Sequence, residues 1–159
     1  MSVSLHQRRA QRGMVLLVSL VFLLLLTVIG LSSMQSANLQ EKMAGSVSLR
    51  NQSFQTAEAA LRIGESAVQL SSYSLAVCAN TTQCAPPAES TAVTAAGLNS
   101  TSGVTWIAAG NGFYGVQNIG TTLTAVNVPS NTSATLYRIT AVGIVGSSRS
   151  VVESVYAKY

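Results

Sequence analysis

Hydrophobic and polar positions divide the 159-residue chain into three patterns. The first is unbroken. After Arg12 and Gly13 the chain reads Met14-Val15-Leu16-Leu17-Val18-Ser19-Leu20-Val21-Phe22-Leu23-Leu24-Leu25-Leu26-Thr27-Val28-Ile29-Gly30-Leu31, and no charge follows before Glu41. A bilayer core takes about 20 mostly apolar residues at roughly 1.5 Å each, so this pattern predicts a transmembrane helix over residues 14–37. The second pattern has a helical period: Phe54, Ala57, Leu61, Gly64 and Val68 recur at intervals of three and four with no proline nearby. It predicts that the helix continues over residues 38–70 and turns one stripe to a core. Unbroken, the whole helix is roughly 85 Å long, of which the bilayer takes only about 30 Å. Gly30 and Gly45 are the positions at which it is weakest, and Glu58 with Arg62 forms an i,i+4 pair in the favourable order.

The third pattern is β-like. Residues 71–102 lose periodicity, carry Pro86-Pro87 and are dense in Ser, Thr and Ala, which predicts a loop with one short helix over 89–97. Strands are then predicted at 104–107 and 113–116, turning at Asn111-Gly112, at 123–128 before Pro129, and at 135–145 against 150–156 through Gly146-Ser147-Ser148-Arg149. The fold class that follows is α+β: a long N-terminal helix, its first half transmembrane, whose C-terminal half packs on a small antiparallel β-sheet. Residues 1–13 precede it as a polar leader, and 71–159 form one headgroup, with loop 71–102 and sheet 103–159. A sheet needs a covered face, and the stripe from Phe54 to Val68 is the available cover.

Composition supports one span and one polar module. Mean hydropathy is +0.38 with only 9% charged residues, but the apolarity is concentrated near the N-terminus. The net charge of +4 invites a nucleic-acid reading, yet Arg8, Arg9 and Arg12 supply a third of the nine basic residues, leaving six basic against five acidic. No nucleic acid contact is expected. The three arginines instead flank the span and hold its N-terminus in the cytoplasm, which places the headgroup outside it. A secretory signal cut near Gly30, Ser32 and Ser33 is the alternative, although the apolar run exceeds the 7–15 residues of a signal core.

Cys78 and Cys84 are the only cysteines and fall in the exported part. A disulfide closing a small loop is expected there, contributing about 2 kcal/mol by the chain-entropy argument. Two free buried thiols are the alternative; a zinc site lacks further ligands nearby. The chain contains no aspartate, and its single histidine, His6, lies in the leader, so a histidine-dependent catalytic centre is excluded from the headgroup. Glu41, Glu58, Glu65, Glu89 and Glu153 form no pair by spacing and are expected on solvated faces. No phosphate-binding loop or metal-ligand cluster is found, so no enzyme, no catalytic residue, no metal and no cofactor is expected. Three Asn-x-Ser/Thr triplets, at Asn80, Asn99 and Asn131, fit chance in a Ser/Thr-rich chain. Trp106, Phe113 and Tyr114 are expected in the sheet core, while Tyr156 and Tyr159 are candidates for a partner surface.

Gly13-Met14 opening a long apolar helix behind a short basic leader resembles the class III signal of type IV pilins and type II secretion pseudopilins. Leu39-Gln40-Glu41-Lys42-Met43-Ala44-Gly45, Arg50-Asn51 and Phe54-Gln55-Thr56-Ala57-Glu58-Ala59-Ala60-Leu61 are similar to the N-terminal region of PilX-type minor pilins. The similarity covers residues 8–65, with Tyr137, Arg138, Ile139 and Thr140 suiting the family's C-terminal region more weakly. It implies leader cleavage after Gly13 by prepilin peptidase and N-methylation of Met14. Two departures stand out: Met14 replaces the usual Phe, and Val18 occupies the position at which major pilins carry glutamate. In the family that carboxylate pairs with the N-terminal amine of a neighbouring subunit, which Val18 cannot do.

The resemblance therefore implies a minor pilin that helps initiate type IV pilus assembly at or near the filament tip and supports twitching motility, adhesion or DNA uptake. Its implied partners are prepilin peptidase, other minor pilins, the major pilin, the inner-membrane assembly platform and the inner membrane itself. Its implied location is the bacterial inner membrane, N-terminus cytoplasmic and headgroup periplasmic, and then the fibre. A minor pseudopilin of a type II secretion tip complex, a tip adhesin touching its target through the Cys78–Cys84 loop, and an unrelated single-pass protein are the competing readings.

Overall fold

The computed structural model describes residues 7–159, with side chains from Gly13 onward. Residues 1–6 of the expected leader, His6 included, lie outside the described residues. One helix, α1 (Gln7–Gln69), opens the chain, and five strands close it: β1 (Gly97–Leu98), β2 (Thr105–Ala109), β3 (Gly112–Thr122), β4 (Ala134–Val145) and β5 (Ser148–Lys158). Between them lie a single-turn helix, α2 (Thr81–Cys84), and a 3₁₀ turn (Ala88–Thr91). The chain divides into two compact units, the first ending at Gly45 and the second running Ser46–Tyr159.

In the first unit α1 is uninterrupted through Gly30 and Gly45, and it is already helical at Gln7, the first described residue, rather than only from Met14. Its apolar side chains, from Met14 to Met43, are exposed. The hydroxyls inside this stretch bond to their own helix, Ser19 Oγ donating to the Leu16 carbonyl at 2.9 Å and Thr27 Oγ1 to that of Leu24 at 2.8 Å. No hydroxyl in residues 14–31 is thus left to face hydrocarbon unpaired.

In the second unit the strands lie in sequence order, β1-β2-β3-β4-β5, every pair antiparallel. The last part of α1 packs on one face of this meander. The contact stripe is Ser53, Ala57, Ala60, Gly64 and Val68, all buried, whereas Phe54, placed on it by periodicity, is 47% exposed. The stripe keeps the expected Ala57, Gly64 and Val68 but takes Ser53 and Ala60 in place of Phe54 and Leu61, and these small side chains let the helix backbone come close to the sheet. At Gly143 the approach is closest: a β-carbon there would collide with the Ser53 carbonyl oxygen and the Ala57 amide nitrogen. Ala60 and Val68 join Tyr114, Val116, Tyr137, Ile139 and Ala141 in the main core.

Segment 71–104 does more than connect. It covers the opposite face, where Val93, Val104 and Trp106 pack with Val142, so the centres of β3 and β4 are buried on both faces. Several expectations change. β1 lies inside the expected loop, and the helix expected over 89–97 is only the 3₁₀ turn Ala88–Thr91. The first hairpin turns at Gly110-Asn111, with Gly112 already in β3, and the last at Gly146-Ser147 alone. Both turns put a glycine of positive φ, +59° at Gly110 and +56° at Gly146, in the first central position, as two-residue hairpins favour. The strand expected at 123–128 is absent; that segment belongs to the β3–β4 connection, because β4 pairs directly with β3 and leaves it no partner. Glu58 and Arg62 do not bridge, the ion pair among the described residues being Arg138–Glu153.

Candidate functional site: assembly surfaces

Gly13, Met14 and Val18 all lie on α1. Met14 and Val18, one helical turn apart, share a face and are 72% and 47% exposed. Helix Gly13–Gln69 is long and apolar enough to cross a membrane, its most apolar window averaging a hydropathy of 3.0 with none of it buried. The Gly13–Met14 peptide sits inside a helix, so the extended conformation a protease requires is not the resting one.

In the second unit Cys78 and Cys84 are joined in a disulfide, Cα atoms 5.2 Å apart, which removes the free-thiol and zinc alternatives. Asn80 caps the short helix inside the loop, its Oδ1 accepting from the Gln83 amide at 2.9 Å. The far end of the loop is fastened to the sheet through three consecutive carbonyls. Gln117 Nε2 donates to Gln83 O at 2.6 Å and Ala85 O at 2.9 Å, and Arg138 Nη1 donates to Cys84 O at 2.6 Å. Arg138 Nε also pairs with Glu153 Oε1 at 3.0 Å. One guanidinium thus holds the loop and the neighbouring strand together.

Of the glutamates expected on solvated faces, Glu41 and Glu58 are exposed on α1, whereas Glu65 and Glu89, like Glu153, are anchors. Glu89 Oε1 accepts from Ser102 Oγ and from Trp106 Nε1, and Glu65 Oε1 accepts from Ser154 Oγ at 2.7 Å. Sequence spacing had no means of revealing these contacts, since each joins residues 13 to 89 positions apart. Lys158 Nζ reaches back to the carbonyls of Leu70 at 2.6 Å and Tyr73 at 3.0 Å, fastening the end of β5 to the end of α1. Tyr73 packs edge-on against Tyr137, and its burial, with Tyr137 and Tyr114 adding charge repulsion, pushes its hydroxyl above the ordinary tyrosine range. Trp106 and Tyr114 are buried and Phe113 partly so; of the two candidate partner-surface tyrosines, Tyr156 packs on the core and Tyr159 is 71% exposed.

Residues 12–62 match the family described as PilX N-terminal, a match consistent with a PilX-type type IV pilin and suggesting a minor pilin of the type IV pilus. It covers about a third of the chain and takes in Gly13, Met14, Val18 and the packing stripe as far as Ala60. Pilins are structural rather than enzymatic, and the family and the long apolar helix together fit a membrane-anchored pilus component that meets other pilins in the fibre. Neither the curated proteins nor the solved structures contain a match.

Proposed function

We propose that this chain is a minor pilin that helps initiate type IV pilus assembly from a position at or near the filament tip. The observation that carries the reading is the helix of residues 12–62: family-matched, continuous through Gly13, and apolar with every large side chain from Met14 to Met43 exposed. Such a surface requires a non-aqueous neighbour, first lipid and then the helices of other pilins. Before assembly the chain spans the inner membrane with its basic N-terminus cytoplasmic and its headgroup periplasmic. Prepilin peptidase removes the leader after Gly13, and Met14 becomes the methylated N-terminus. For that cut the helix must unwind at Gly13, where glycine weakens it by up to about 1 kcal/mol relative to alanine.

Position 18 supports the tip location. A carboxylate within a membrane helix is costly unless paired, by about 2.5–3.5 kcal/mol at the helix centre on insertion scales and less towards its ends, and pairing it with a neighbour's amine recruits that subunit. Val18 has no charge to pair, so this subunit is not drawn beneath one already in the fibre; it takes its place above the others. From there it supports the functions of the pilus, twitching motility and adhesion among them.

Mass spectrometry of the mature N-terminus tests the reading. A chain beginning at methylated Met14 is expected, and an intact leader in the functional protein would refute it. For the tip location, Val18→Glu should redistribute the chain along the fibre; unchanged piliation and position would remove the argument's basis.

A further inference from the structure

We propose that the free edge of β5 is a docking site for one extended strand of a different pilus subunit, an inference that rests on the pilin reading above. Among the described residues β5 pairs on one side only, with β4, through all eleven residues and without a bulge. In a two-residue hairpin the closing pair, here Val145 and Ser148, exchanges both backbone hydrogen bonds. Counting by twos from Ser148, the N–H and C=O groups that point away from β4 belong to Arg149, Val151, Glu153, Val155 and Ala157. The side chains of these residues lie on the face opposite α1, since Ser150 and Ser154 on the other face bond to Ser53 and Glu65. The cover of that opposite face touches β5 at Arg149, near the start of the strand, where Nη1 donates to the Ser90 carbonyl at 3.4 Å. Val151 and Val155 remain 40% and 54% exposed beside the unpaired backbone.

The usual guards of a sheet edge are proline, bulges and outward charges. β5 has neither of the first two, and its charges are drawn back into the fold: Glu153 to Arg138, Lys158 to Leu70 and Tyr73, Arg149 towards Ser90. Past Val155 the edge opens into a groove of about 630 Å³ walled by segment 122–128, in which Val126 is 84% exposed. A row of alternating donors and acceptors selects its occupant. A helix has already used its own backbone groups, and lipid would leave the row unpaired; only an extended strand satisfies it. Pairing two copies of β5 along their full length sets Glu153 against Glu153, like charges directly opposite, so a different chain fits better. The matching strand carries apolar side chains against Val151 and Val155 and a polar one opposite Glu153.

The test uses the full chain in its native host, alongside a deletion strain. Val155→Pro removes one outward N–H that β4 does not use. Its incorporation into sheared pili is expected to fall about tenfold, the scale of one lost backbone hydrogen bond with its packing, while its thermal midpoint in detergent stays at the wild-type value. Val155→Thr, which keeps the N–H, should be incorporated normally. If the proline perturbs folding, the pair Val151→Lys and Val155→Lys takes its place with the same expectation. A folded edge variant incorporated at the wild-type level, in a host whose deletion strain lacks pili, overturns the strand docking alone. Normal piliation in the deletion strain overturns the pilin reading and this inference with it. A disulfide-linked dimer of chains carrying Val151→Cys with Val155→Cys, positions that face each other when two β5 edges pair about Glu153, would assign the edge to a second copy and overturn the choice of a different subunit.

Discussion

Gly143→Ala adds one methyl group at the point where α1 and β4 come closest. That methyl would meet the carbonyl oxygen of Ser53 and the amide nitrogen of Ala57, which are backbone atoms in mid-helix and have no rotamer by which to move aside. Either the helix lifts from the sheet, opening gaps around Ala60, Tyr114 and Ile139, or β4 bends and strains its pairing with β3 and β5. Overpacking of a tight core costs about 1–3 kcal/mol, and a collision with backbone belongs in the upper part of that range. For a unit of this size, 2–3 kcal/mol lowers the midpoint of thermal unfolding by roughly 8–12 °C. The assay is near-ultraviolet circular dichroism of the full chain in detergent, which follows Trp106 and the buried tyrosines. Gly64→Ala is the comparison: its methyl meets Ile139 Cγ2 at 2.7 Å and the Tyr114 ring at 2.9 Å, which are buried but are side-chain atoms rather than backbone, and alanine regains about 1 kcal/mol of helix propensity. It should lose less than half as much as Gly143→Ala. A wild-type midpoint for Gly143→Ala, or the reverse order of the two variants, would refute the close packing described for this interface.

Replacing both Cys78 and Cys84 by Ala should lower unfolding stability in urea by about 2 kcal/mol, the entropy of closing so short a loop. Arg138→Met should cost about 2 kcal/mol in the same assay, because it removes the partner of Glu153 Oε1 and of the Cys84 carbonyl together. Ser53→Ala removes the hydroxyl shared with Ser150 at 2.7 Å and should cost about 1 kcal/mol, whereas Ser48→Ala on the exposed side should be neutral. The raised Tyr73 pKa favours the folded state while the hydroxyl is neutral; this contribution is full below the ordinary value of about 10 and is lost as pH rises through the folded value. Unfolding midpoints measured from pH 8 to 11 should therefore fall at the alkaline end, and less steeply in Tyr73→Phe.

What the sequence disclosed followed range. The apolar run from Met14 to Leu31, the helical period through Val68 and the β-rich tail are local signals, and each produced its element. The cysteine pair was legible because its spacing and compartment left few alternatives. Phe54 misled, because periodicity ranks a large apolar residue above a serine, while the sheet sits so close that only Ser53 fits. Segment 123–128 misled in the same way: Leu123, Val126 and Val128 suit a strand, but strand formation requires a partner and β4 had taken the place beside β3. The anchoring roles of Gln117, Arg138, Glu65 and Glu89 depend on residues distant in sequence, and nothing in their own neighbourhoods announces them.

The meander order of the sheet also bears on how the headgroup is made. Each strand pairs with the one synthesised just before it, so pairing can advance in step with chain growth, with no strand inserting between two already joined. The exception is α1, which is made first yet docks on β4 and receives the Lys158 clasp from the end of β5. Its small-residue stripe must wait, uncovered, for the far end of the chain. Completion of the last strand therefore adds the Lys158 clasp and the free edge together, so the residues that finish the headgroup also finish its candidate docking surface.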